Sequence, residues 1–280
     1  MRDLTDAYRR CEEITRTEAR NFSYGIRLLP PAKRQAMSAL YALARRIDDV
    51  GDGDLPVAEK EAALAALRQE VDAASVDDPD PVIACLADTV ERYRVPVKAI
   101  HEIIDGCLQD CTGATYQTFD DTVAYCRLVA GSVGRLSLAV FGCDDPDGER
   151  RADALGVALQ ITNILRDIKE DREQMGRVYL PAEDIARFGA NADLTGPTEA
   201  VAALVSFEAA RAEDWYRDGL GLLGMLDRRS AACVGAMAGI YRRLLARIEK
   251  DPSAVMQTRV SLPGWEKGWV AVRSLAGVGA

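Results

Sequence analysis

Apolar residues recur along this chain at the three- and four-residue steps of helices rather than at the alternation of strands. Residues 5–20 read as a polar helix, broken by Leu28-Leu29-Pro30-Pro31, with Pro31 suited to the first turn of the next helix. There Met37, Leu40, Tyr41, Ala44 and Ile47 keep helical spacing, until Gly51 and Gly53 weaken the helix end and Pro56 marks a loop. An Ala/Leu/Glu-rich helix is predicted over about 57–74. Asp77-Asp78-Pro79-Asp80-Pro81 reads as an acidic surface loop rather than a metal site. Helices follow at about 82–92 and 96–111, a loop near Thr112–Asp120, and a helical stretch at about 121–141 that stops at Phe141-Gly142-Cys143-Asp144-Asp145-Pro146. The next helix spans about Glu149 to Asp171, and Gly176 to Pro181 is a loop. A short helix from about Ala182 and two long ones at about 197–224 and 227–250 complete the pattern. Little regular structure is expected after Asp251-Pro252. Strands, solenoid repeats and a glycine-rich phosphate loop are not readable. The expectation is an all-α protein, one bundle of long helices forming a single domain over residues 1–280.

Composition supports this. Hydrophobic residues are 48% of the 280, enough for a large core, while aromatics are only 6%. The formal net charge of −9 argues against a nucleic-acid partner. It leaves room for an anionic small molecule, because a metal ion or a few arginines reverse the field inside one cleft. The 7 cysteines are odd in number and scattered; apart from Cys107 and Cys111 no pair has a zinc-ligand spacing. They read as small buried apolar residues in a reducing, cytoplasmic setting. The charge-dense start carries no signal peptide, and no apolar run reaches the roughly 18 residues of a membrane span.

Two acidic clusters change the picture. In Asp48-Asp49-Val50-Gly51-Asp52, a helix sets Asp48 and Asp52 on one face, and the same stripe runs back through Arg45 and Tyr41. In the second cluster Gln160, Asn163, Asp167 and Asp171 form a matching stripe. Like charges at this spacing repel by roughly 0.2–0.5 kcal/mol on an exposed helix and by more when buried. A cation would cancel that repulsion. Magnesium suits the arrangement, since it takes one or two carboxylates, waters and phosphate oxygens. The chemistry suggested is ionisation of a diphosphate ester, with Arg45 adding a charge-assisted hydrogen bond and an apolar pocket keeping water from the allylic cation. His101, the lone histidine, lies on a helix away from both clusters and reads as structural. No Ser/His/Asp or Cys/His set is readable.

Ordered motifs carry a family resemblance across nearly the whole chain. They are Asn21-Phe22-Ser23-Tyr24 with Leu28-Leu29-Pro30; Tyr41-Ala42-Leu43-Ala44-Arg45-Arg46-Ile47-Asp48-Asp49; Val129-Ala130-Gly131-Ser132-Val133-Gly134; Gln160-Ile161-Thr162-Asn163-Ile164-Leu165-Arg166-Asp167; and Gly176-Arg177-Val178-Tyr179-Leu180-Pro181. The chain resembles the squalene/phytoene synthase family. The resemblance implies an isoprenoid-synthase-type helical bundle with a central cavity, magnesium as cofactor, and condensation of two identical prenyl diphosphates. By motif position it implies that Asp48, Asp52, Asn163, Asp167 and Asp171 bind magnesium or magnesium-bound diphosphate. Tyr41, Arg45, Gln160 and Arg166 would line the diphosphate region, and Arg20 and Asn21 would meet a second substrate. Tyr241, Arg177 and Arg259 are further substrate-binding candidates that packing or surface roles would explain equally well. Gly131 and Gly134 bare one side of a helix, either for an isoprenoid chain or for a neighbouring helix.

Three products compete: presqualene diphosphate, phytoene and squalene. Glu18-Ala19-Arg20-Asn21-Phe22 and Arg45-Arg46-Ile47-Asp48-Asp49-Val50-Gly51-Asp52-Gly53 look most like bacterial presqualene diphosphate synthases of hopanoid pathways. Full squalene synthases place a tyrosine just before Val-Ala-Gly. Here Leu128 stands there, and Tyr125 comes about one turn early. The expectation is two farnesyl diphosphates giving presqualene diphosphate without a nicotinamide step. Asp-Asp-x-x-Asp also fits a chain elongase or terpene cyclase, but the second cluster argues against both. A non-catalytic assembly factor is the remaining alternative. Amphiphilic products make loose, anchor-free membrane contact an expectation; oligomeric state is not readable.

Overall fold

A computed structural model describes residues 3–19 and 21–277; Arg20 lies outside the described residues. The chain starts with α1 (Thr5–Glu18), the one-turn α2 (Phe22–Ile26) and α3 (Pro31–Asp52), followed by α4 (Val57–Asp72), α5 (Pro81–Tyr93) and α6 (Val97–Thr112). Next, α7 (Phe119–Cys126) runs through a π-helical turn, Arg127–Gly131, into α8 (Ser132–Phe141). The longest helices are α9 (Gly148–Glu170), α11 (Thr198–Gly219) and α12 (Arg228–Lys250), with the short α10 (Ala182–Phe188) after α9 and α13 (Gly264–Leu275) at the end. No strand occurs among the described residues.

Local chemistry fixes many of these boundaries. Pro31 occupies the first turn of α3 and Gly53 ends it. Asp80 caps α5 by accepting from the Val82 amide at 2.8 Å, and its carboxylate pairs with Arg46 at 2.8 Å. The acidic loop therefore has a structural use. Thr118 and Asp121 form a reciprocal capping box at the start of α7.

One hydrophobic core joins buried residues from Tyr8 to Val270. Within it α9 packs on α8, α11 and α12, while α3 packs on α1, α5 and α6. The α8–α9 crossing brings backbones together. A Cβ at Gly134 would sit 2.5 Å from the Ala152 carbonyl, and one at Gly156 would sit 2.5 Å from that of Ala130. Gly134 thus serves helix packing, which decides between the two readings of the glycine face. Deeper along α9, Thr162 and Tyr216 share a hydrogen bond of 3.0 Å that satisfies both hydroxyls in the core.

The structure departs from expectation at three places. The first helix ends at Glu18 and a separate turn, α2, follows. Its Tyr8, Cys11 and Thr15 are buried, so α1 is amphipathic rather than polar. The tail is ordered: a 3₁₀ turn at Pro252–Met256 leads into α13, whose Val270 and Ala271 are buried. Tertiary packing on α12 overrides the weak helix propensity of its glycines. Finally, the continuous helical run Phe119–Phe141 is long and apolar enough to cross a membrane by length and composition. Ion pairs of Arg127 and Arg135 with Asp153, and of Arg135 with Glu102, instead tie it to α9 and α6.

All 7 cysteines are free thiols; Cys11, Cys85, Cys107, Cys126 and Cys233 are buried, as expected of apolar packing residues. His101 Nε2 lies 2.9 Å from the Asp72 carboxylate, between α6 and α4.

Candidate active site

The acidic residues share a feature that spacing alone did not reveal. Asp48 and Asp52 lie in the last turns of α3, Asp110 in the last turn of α6, and Asp167 in the last turn of α9, with Asp171 just beyond. A helix C-terminus carries partial negative charge and disfavours a carboxylate. The ends of α3 and α6 add negative potential beside Asp167 and Asp171, where α9 continues into a π-helical turn, Asp171–Met175, so a cation would be welcome.

Their charges are coupled. The Asp48 carboxyl is pushed up to about 7, first by desolvation and then by Asp52, with Asp110 adding to it. Asp171 is likewise pushed up to about 7 by burial, Asp167 and Asp110. Yet Asp48 remains accessible to water. Accessibility combined with strong desolvation describes a carboxylate on the wall of a concave site, not on an outer surface. Asp110 stands between the two clusters. It is raised by burial, opposed by Arg177 and by two phenolic hydrogen bonds, and Asp52 raises it further.

Asp110 is the residue that the sequence reading missed. Tyr179 donates to its Oδ1 at 2.9 Å and Tyr125 to its Oδ2 at 3.0 Å. The Tyr125 and Tyr179 rings stack at 5.0 Å, and Tyr116 packs on Tyr125 at 5.3 Å. The early tyrosine, Tyr125, thus fixes the orientation of Asp110. A lone carboxylate in a helix's last turn, against the dipole, was the available signal.

Arg177 joins the halves. Its guanidinium donates to Asp52 Oδ1 at 3.0 Å and to the Gly51 carbonyl at 3.3 Å. A cleft of about 440 Å³ opens beside Asp110, Arg177 and Tyr179. On the far side, Arg259 pairs with Asp167 at 2.9 Å and with Glu170 at 3.3 Å. Arg166, almost wholly buried, grips Asp167 through Nε at 2.8 Å and Nη2 at 2.5 Å. Of the three further candidates, Arg177 and Arg259 therefore meet the acidic faces directly.

Tyr241 meets the site through aromatic contacts. Arg166 lies 5.9 Å over its ring, and Phe22 packs 5.9 Å from it and 6.4 Å from Tyr41. Phe22 therefore bridges Tyr41 of α3 and Tyr241 of α12. Desolvation pushes the Tyr41 phenol up to about 12. Arg45 pairs with Asp49 at 2.6 Å, a partner off the predicted stripe, while still acting on Asp48 and Tyr41. Asn163 Nδ2 donates to Gln160 at 3.3 Å, whereas its buried Oδ1 has no hydrogen-bond partner. Asn21 precedes α2 and makes no side-chain hydrogen bond to either acidic face among the described residues.

Comparisons with known proteins match this chain over nearly its whole length. The profile of the squalene/phytoene synthase family matches residues 15–266. A phytoene synthase of Mycobacterium tuberculosis is 48% identical over 99% of this chain and 93% of its own. A presqualene diphosphate synthase of Zymomonas mobilis is 40% identical over 65% of this chain and 62% of its own. Among solved structures, a dehydrosqualene synthase in complex with ligand superposes with a TM-score of 0.86 at 27% identity, covering 99% of this chain and 98% of that one.

Proposed function

Because the chain belongs to the squalene/phytoene synthase family, whose enzymes are prenyltransferases, we propose that it joins two farnesyl diphosphates head to head, yielding presqualene diphosphate and free diphosphate. We read residues 1–280 as one such domain. The observation that carries the proposal is the mutual charge repulsion that links carboxylates of α3 and α6 with those at the end of α9, on a helix that also carries the unpartnered Asn163 Oδ1.

The donor set fits magnesium. It is built of oxygen, it carries excess negative charge, and it includes an orphaned buried acceptor. Among the described residues no three His, Cys, Asp or Glu side chains are close enough to cage an ion. Magnesium commonly shares one or two protein carboxylates with waters and diphosphate oxygens. Asp48 and Asp52 would hold it on one side, and Asn163, Asp167 and Asp171 on the other. Bound there, magnesium neutralises charge developing on the leaving diphosphate.

Arg45, Arg166, Arg177 and Arg259 would bind and orient the same oxygens. Gln160 adds a polar contact. The C1–O bond of the first farnesyl diphosphate breaks, and its allylic cation is attacked by the double bond at the head of the second molecule. One proton leaves and the cyclopropane closes, while the second diphosphate is retained. A phenol pushed up to about 12 stays protonated near neutral pH, so Tyr41 fits orientation better than proton removal. The departing diphosphate is then the proton acceptor. Leu128 before Val129, with Tyr125 bound to Asp110, supports release at the cyclopropyl stage. Arg20 and Asn21 are assigned to the second substrate by motif position.

The 48% identical relative named phytoene synthase favours a second reading, with two twenty-carbon substrates. Product analysis with fifteen- and twenty-carbon diphosphates, with and without a reduced nicotinamide, separates the two. Forty-carbon product alone would replace the farnesyl reading, and squalene formed only with reductant would overturn release of the intermediate. Unchanged turnover in Asp48→Ala and Asp167→Ala would overturn the proposed roles of both aspartates.

A further inference from the structure

The last described helix, α13, carries an apolar face that no other described part of the fold covers. Trp265 is 75% exposed, Trp269 54% and Val272 58%. Spaced by four and three residues, they form one stripe along the helix. The buried Glu266, Val270 and Ala271 turn towards the rest of the bundle. Two of the chain's 3 tryptophans are thus held outward on a well-packed helix.

The charge around this stripe runs opposite to that of the whole molecule. Lys267 and Arg273 lie on α13, and Arg228 donates to the Leu275 carbonyl at its C-terminus at 3.2 Å. Arg243 and Arg247 neutralise Glu266 at 3.0 and 2.6 Å. Arg242, Arg243 and Arg273 line a cleft of about 360 Å³ beside the helix, where Glu213 stands against them. Among the described residues, these six cations share the region with Glu213, Glu249 and Glu266, which leaves it positive on a chain of net charge −9.

Outward tryptophans flanked by arginine and lysine match the boundary between acyl chains and anionic headgroups. A protein interface also enriches tryptophan and arginine, but it depletes lysine, which here stands beside the stripe as Lys267. We propose that α13 docks this protein on an anionic phospholipid surface. Trp265, Trp269 and Val272 enter the headgroup boundary, and the flanking cations meet lipid phosphates. The helix also packs on α2, whose Phe22 lies against Tyr41 and Tyr241. Docking therefore places the bilayer next to the site. The prenyl chemistry proposed above gives this docking a use, and the docking stands without it.

Flotation with phosphatidylcholine vesicles, with or without about one third phosphatidylglycerol, tests the proposal. The protein is expected to float at least about tenfold more with anionic vesicles, and less in high salt. Its tryptophan emission should shift to the blue, with Trp215→Phe keeping the shift. Trp265→Ser/Trp269→Ser should lose both signals while keeping its melting temperature and its turnover in detergent. Wild type that stays unbound, or a double variant that binds equally, overturns the proposal. So does self-association that depends on the two tryptophans without vesicle binding. Vesicle binding by a protein without prenyl turnover would sink the proposed function and leave this inference standing.

Discussion

Arg177 donates to Asp52 at 3.0 Å and so clasps the segment after α9 to the end of α3. Burial works against its charge, but Tyr179, Asp110 and Asp52 outweigh that. One guanidinium therefore steadies both acidic faces. Arg177→Ala is expected to lower kcat by about 10²-fold, the loss typical of a donor aimed at developing charge. Because Asp52 is exposed, the pair should contribute less than about 1 kcal/mol to stability. Steady-state kinetics with a thermal melt checks both, and unchanged kcat would refute the role.

Asp110 offers both oxygens to tyrosines, which leaves it fixed between the clusters. Asp110→Asn keeps the shape and can still hydrogen-bond to Tyr125 and Tyr179. Its turnover should fall by about 10²–10³-fold while the melt stays close to wild type. Turnover within a factor of about two would assign Asp110 to packing instead.

The α8–α9 crossing predicts an inverted glycine effect. In an exposed helix, Gly→Ala stabilises by about 1 kcal/mol. Gly156→Ala would push a methyl against the Ala130 carbonyl and should destabilise by about 1–3 kcal/mol. Urea unfolding gives the sign directly.

A buried network away from the site predicts a pH effect on stability. Arg211 bonds Asp184 at 2.6 Å and Glu208 at 3.0 Å. Burial, with Asp184 adding to it, pushes Glu208 from its ordinary 4.5 up to about 7 despite Arg211. The folded protein then holds that proton more tightly than the unfolded chain. Its contribution is complete below about pH 4.5 and is lost as pH rises through about 7. Glu208→Gln cannot titrate. Stability of wild type relative to this variant should therefore fall between pH 5 and pH 8, on the order of 1–3 kcal/mol. A difference constant across that range would refute the assignment.

The two acidic stripes were legible because their spacing matches the helical repeat within one segment each. Asp110 was not, since its meaning depends on helices α3, α6 and α9 converging from distant parts of the chain. Arg177 and Arg259 were equally ambiguous until the fold set them against Asp52 and Asp167. Helix α13 escaped notice because Gly264 and Gly268 weaken its local propensity and its stabilising surface belongs to α12. Gly134 was readable as a bare helix face, but only the neighbour's backbone distinguishes a packing seam from a substrate groove.

The most direct test supplies the purified protein with farnesyl diphosphate and magnesium alone, removes phosphate enzymatically, and identifies the product by mass spectrometry and NMR. The account predicts a thirty-carbon alcohol bearing a cyclopropane ring, lost in Asp48→Asn and Asp167→Asn. A linear elongated alcohol or a fifteen-carbon hydrocarbon would contradict it.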